Sequence, residues 1–145
     1  MPDTIEGSTI ISVTTLYPTP DKWIGYRIRL SNGEELELAV ANERGCCEIA
    51  TFRSSHSLKE FTHKKIKKWG YTMDGEANRF KFMIDSAKQE YPIQTRSYAY
   101  VFYLIVYFET EDDQTLSLMV CNIHTGDYCN KARLSHIRPL VETVL

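Results

Sequence analysis

No apolar run in this chain is long enough to cross a membrane as a helix: the longest, Tyr98 to Phe108, is eleven residues, against about twenty for a spanning helix. The common catalytic signatures are also missing. There is no glycine-rich phosphate loop, no His-Glu-x-x-His and no Gly-x-Ser-x-Gly. Met1-Pro2-Asp3 opens an acidic, polar stretch without the basic and apolar regions of a secretory signal. A formal charge of −2 gives no general attraction to nucleic acid or to anionic lipid, so any such contact has to be local. These absences lead to the expectation of a soluble, intracellular, cytoplasmic protein with no membrane partner. Composition is otherwise that of a globular protein, and 145 residues fit one domain able to bury a core without covalent staples.

Four cysteines are present, and in an intracellular chain of this length reduced thiols are expected rather than a disulfide framework. Adjacent Cys46 and Cys47 fall on opposite sides of an extended chain, which disfavours chelation of one ion. Cys121, His124 and Cys129 have spacings compatible with zinc but lack an identifiable fourth ligand, and a thiol nucleophile assisted by His124 or His136 needs a proximity that spacing does not supply. The expectation is therefore no catalytic residue, no metal and no cofactor.

What the chain does have is a repeated pattern. Trp23 to Leu30, the Ser31-Asn32-Gly33 turn and Glu34 to Ala41 lead to Gly45-Cys46-Cys47-Glu48, while Tyr98 to Phe108, an acidic turn and Gln114 to Val120 lead to the segment from Cys121 to Cys129. In the first pair, Tyr26, Ile28 and Leu30 alternate with Arg27 and Arg29, and Leu36, Leu38 and Val40 alternate with Glu35, Glu37 and Ala39, so a hairpin with one buried face is predicted. Ile10 to Thr15 reads as a preceding strand, and Cys47 to Arg53 as a following one. Ser57-Leu58-Lys59-Glu60 has capping-box spacing and predicts a helix from Leu58 to Lys68, stopped by Gly70, with Leu58, Phe61, Ile66 and Trp69 as its buried stripe. Arg79 to Lys88 fits either period and is assigned to a strand. A last strand is expected around Asn130 to His136. The fold class is α+β, mainly antiparallel sheet with one central helix and room for a second.

The Cys-Cys-Glu after a Gly-turn hairpin, the short helix, the long aromatic strand and the closing hairpin with a Gly-x-Tyr element resemble an uncharacterised α+β domain family of viral, phage and some microbial genomes. The resemblance spans roughly residues 24 to 136. Cys46, Cys47 and Glu48 take the places of its first motif, and Gly126 and Tyr128 match its second, whereas Thr125, Asp127 and Cys129 depart from it. The family has no established activity, so the resemblance implies a fold and a viral or microbial setting.

Two features point to partners. Between His56 and Gly70 lie five lysines and one glutamate, a local +4, against −4 from Glu34 to Glu48. Lys64, Lys65, Lys67 and Lys68 form a candidate docking surface on the expected helix, for an acidic protein or, through backbone phosphates and without sequence specificity, for nucleic acid. Tyr98 to Phe108 is apolar on both faces, and a single helix covers one, so Tyr103 and Tyr107 are candidate contacts of a homodimer. The sequence thus favours a non-enzymatic interaction module, of the viral accessory or virion-associated kind, with a small cysteine-dependent or metal-assisted enzyme as the alternative.

Overall fold

The computed structural model describes residues 5–16, 23–41, 48–73, 79–89, 100–124 and 137–138. Alternation of buried and exposed residues in β2 and β3 builds the centre of the first sheet. Strand β1 (Ile10–Leu16) pairs antiparallel with β2 (Trp23–Leu30), which pairs with β3 (Glu35–Ala41) through the Asn-Gly turn. Gly33 holds the positive φ of 89° that the turn needs, and the Asn32 side chain accepts from the Glu34 N–H at 2.9 Å. Arg27 lies opposite Glu37 on the exposed face and bonds it at 2.8 Å.

The second sheet is ordered β4-β7-β6-β5, from β4 (Glu48–Ser54), β5 (Ile66–Thr72), β6 (Tyr100–Thr110) and β7 (Thr115–His124). As its two apolar faces imply, β6 is an interior strand, flanked by β7 and β5. A two-residue strand, β8 (Ile137–Arg138), returns to the first sheet beside β3. The expected strand at Asn130 to His136 lies outside the described residues.

The two sheets pack face to face. Ile28, Leu30, Leu36 and Leu38 of one meet Leu104, Val106, Phe108, Leu116, Leu118 and Val120 of the other, and Tyr26 meets Phe52 edge-on at 5.2 Å. A second cluster lies on the outer face of the β4-β7-β6-β5 sheet. There Tyr103, Ile105, Met119, Cys121 and Ile123 are covered by Phe80, Met83, Ile84 and Ala87 of helix α1 (Lys81–Lys88) and its N-cap. The fold is α+β, mainly antiparallel, in three layers: sheet, sheet, helix.

Two assignments made from periodicity are corrected. Arg79 to Lys88 holds a helix, Lys81–Lys88, and no strand: Phe80, Met83, Ile84 and Ala87 are buried on one side while Phe82, which a strand would bury with Phe80 and Ile84, is 58% exposed. The predicted helix from Leu58 to Lys68 is a single 3-10 turn, Leu58–Phe61, after which the chain becomes β5. The capping interaction is real, since the Glu60 carboxylate accepts from the Ser57 N–H at 3.2 Å, but Thr62 is already extended, which ends the turn, and His63 then adopts φ 68°.

The sequence pattern misleads because β5 contains a bulge between Ile66 and Lys68. The extra residue shifts the alternation, so Ile66 and Trp69, three apart as on a helix, both face the core. Pairing on both sides then overrides local propensity. Gly7 N–H donates to Ile66 C=O at 2.8 Å, Ile66 N–H to Ser8 C=O at 2.8 Å, and Ile10 N–H to Lys64 C=O at 2.9 Å. These bonds join the edge of the first sheet to the edge of the second and close the sandwich along one side.

Candidate functional site

The four lysines singled out by charge stand at this closed side, on the approach to β5 and its first residues rather than on a helix. An open cleft of about 370 Å³ lies against the first two of them, lined by Thr62, His63, Lys64, Lys65, Glu111 and Asp112. The opposite wall is the β6–β7 turn, held by Thr110 C=O accepting from Asp113 N–H at 3.0 Å and by φ 63° at Asp113. Glu111 N–H donates to Lys65 C=O at 3.0 Å, which fixes the turn to the lysine segment.

Charge at this corner is largely compensated. Lys64 Nζ lies 2.6 Å from Asp112, which also accepts from the Thr110 hydroxyl. Those hydrogen bonds, from Lys64 first and Thr110 second, hold the Asp112 carboxyl below its ordinary pKa. Lys67 lies 3.8 Å from Asp113, a long contact between two exposed groups, and Lys68 stands opposite Glu109 in the strand register. Neither Lys65 nor Lys68 has an ion pair among the described residues. The charge run alone did not disclose the compensation. The acidic turn from Glu109 to Asp113 is visible in the sequence, but only the topology shows that it folds back on the lysines.

The aromatic strand stands differently from its sequence expectation. Tyr103 is buried and Tyr107 half-buried, both on the face that α1 covers. Tyr107 stacks with Phe80 at 5.7 Å between centroids, and the Arg79 guanidinium lies 4.7 Å above the Tyr107 ring. Arg53 of β4 fastens the other end of the helix, donating to Ser86 Oγ at 3.2 Å and to Thr51 Oγ1 at 2.7 Å. Helix α1 fills the place the sequence left for a second copy, so these two tyrosines make intramolecular contacts.

Among the cysteines, Cys121 is a buried thiol outside any disulfide, beneath α1. Cys46, Cys47 and Cys129 lie outside the described residues, as does His136. Cys121 and His124 are three apart on one strand and so occupy positions on opposite faces of the sheet, which separates the zinc pair considered from spacing. Among the described residues no group of three His, Cys, Asp or Glu side chains could hold a metal ion, and no helix is long and apolar enough to cross a membrane.

No family model, no curated protein and no solved structure matches this chain. Its function has to be argued from its own geometry.

Proposed function

We propose that the protein is a non-enzymatic interaction module and that its docking surface is the exposed edge of β5 with the adjoining cleft. The observation that carries this reading is the unequal fate of the four lysines. Lys64 is engaged in a short ion pair with Asp112, whereas Lys65 and Lys68 have none among the described residues and Lys67 has only the long contact to Asp113. Exposed pairs of that second kind contribute about 0–1 kcal/mol and exchange readily. β5 is an edge strand, and among the described residues its outer side is paired only near Lys65 and Ile66. Tyr71 and Met73, exposed at its far end, add apolar area. An extended acidic segment of a partner protein would add backbone hydrogen bonds along this edge and meet Lys65, Lys67 and Lys68.

A nucleic-acid partner is less favoured by the same geometry. Glu109, Glu111, Asp112 and Asp113 stand beside the lysines, and a continuous run of phosphates would meet both signs of charge. The resemblance to viral, phage and microbial domains supplies the setting of this reading, an accessory or virion-associated protein. A homodimer through Tyr103 and Tyr107 is not part of it, because α1 occupies that face.

The test replaces Lys65, Lys67 and Lys68 with Glu and leaves Lys64 in its pair with Asp112. Salt-sensitive capture of an acidic protein should be lost, with circular dichroism unchanged. Capture that survives the triple change, or that proves to be of nucleic acid and is removed by nuclease, refutes the reading.

A further inference from the structure

Past Ile66 the outer edge of β5 leaves the seam. The Ile66 N–H donates to Ser8 C=O and its own C=O accepts from Gly7 N–H, so the edge is closed up to that residue. Beyond the bulge, Trp69 and Tyr71 stand opposite Phe108 and Val106, on the face turned toward the other sheet. Lys68 and Gly70 stand opposite Glu109 and Tyr107, on the face that carries α1.

The free edge therefore offers its chemistry in a fixed order. Lys67 and Lys68 are exposed at its start, Trp69 is half-buried, and Tyr71 and Met73 are 38% and 42% exposed at its far end. The rings of Trp69 and Tyr71 lie 6.3 Å apart between centroids and 33° from parallel, which makes an aromatic shelf at the rim of the core. Apolar residues of a partner would take that shelf out of water, and aromatic anchors of this kind carry much of the energy of an interface.

Resting on the docking surface proposed above, we infer that its occupant is an extended segment antiparallel to β5, with two large apolar residues at i and i+2 and acidic residues directly after them. Antiparallel addition matches the pairings of this sheet and the antiparallel bridge of Thr9 to Lys65 on the same edge. Because β5 runs from the lysines to the aromatics, a segment running the other way meets the aromatics first. Its residues across from Tyr71 and Trp69 share one face and sit on the shelf. Those that follow stand across from Lys68 and Lys67, and the first of them places Lys68 between its carboxylate and Glu109 in the register. Pairing has to stop at Ile66, where the seam begins, so the acidic end lies next to the cleft that Lys65 lines. Lysines beside a bulge can also serve only to keep other strands away, but that role is indifferent to the order of residues in a ligand.

The experiment titrates the full-length protein with a short synthetic peptide containing the order Ile-Thr-Val-Glu-Asp, its ends capped by neutral groups, and with the reversed sequence, which has the same composition and charge. The forward peptide should bind about tenfold more tightly, with salt weakening both. Tryptophan fluorescence should shift to the blue as the shelf loses water; Trp69→Phe should remove the shift and Trp23→Phe should keep it. Tyr71→Ser, a change at an exposed position, should bring the forward peptide down to the level of the reversed one with circular dichroism unchanged. Equal binding of the two orders overturns this inference and leaves the acidic docking surface standing. Binding of neither overturns both and leaves the lysines as guards of the edge. A parent chain that self-associates through this edge, and ceases to on Tyr71→Ser, gives the shelf to a second copy and overturns the inference as well.

Discussion

Tyr107 lies across Gly70: the two residues face each other in the β5–β6 register, and a methyl group on residue 70 would collide with the tyrosine ring. The glycine read from the sequence as a helix stop is a seat for an aromatic side chain. Because the same ring stacks on Phe80 and under Arg79, Gly70 also governs how the start of α1 sits on the sheet.

Gly70→Ala should therefore destabilise the protein by about 1–3 kcal/mol, the usual range for overpacking, although alanine is acceptable in most strands. Urea denaturation measures the loss. Adding Tyr107→Ala should make the second change at residue 70 nearly neutral, and full additivity of the two would contradict the contact.

Gly25→Ala should be more severe. Gly25 has φ 148° within β2, and a Cβ there would run into the backbone of Leu38 and Ala39 on the neighbouring strand. Backbone cannot swing aside as a ring can. A loss of about 3 kcal/mol or more, or failure to accumulate as folded protein, is expected on thermal melting.

Tyr103→Glu separates the helix-covered face from a dimer face. Beneath α1, a carboxylate is buried without a partner and should cost more than about 3 kcal/mol, so unfolding is expected rather than a shift from dimer to monomer. Light scattering alongside circular dichroism distinguishes the two. A folded, monomeric variant of a dimeric parent would restore the dimer.

Two groups give opposite pH signatures. Burial pushes the Tyr26 phenol up to about 12, offset in part by its hydrogen bond with Ser54. A folded pKa above the unfolded one means stability is complete below about pH 10 and is lost as pH rises toward 12, on the order of 2 kcal/mol in all, and Tyr26→Phe should remove that alkaline dependence. Asp112, held low by Lys64 and Thr110, has the reverse sign. Its contribution is present above the ordinary carboxylate pKa and disappears as pH falls through the depressed folded value, so Asp112→Asn should flatten the acid limb of a denaturation series.

The β2–β3 hairpin was legible residue by residue, because one face is buried and the other wet, and Asn32-Gly33 dictates its turn. Strands β1, β4 and β7 were also read from alternation, and β6 from a run apolar on both faces. Ile66 and Trp69 were misread because a bulge imitates helical spacing, and Phe80, Phe82 and Ile84 because a two-turn helix is too short for its period to exceed a strand's. At the candidate sites, the lysines were visible as a run, but their pairing with Asp112 and Asp113 depends on which turn lands beside them.

The seam between residues 7–10 and 64–66 ties together segments more than fifty positions apart, and β5 itself is completed on its other side only by residues 105–110. Such remote pairings raise contact order, and the chain has to close a long loop before the bonds reward it. Until Thr110 has left the ribosome, the side of β5 that β6 covers in the finished protein is bare, so a newborn chain arrested before that residue has one more open strand edge for aggregation than the finished protein.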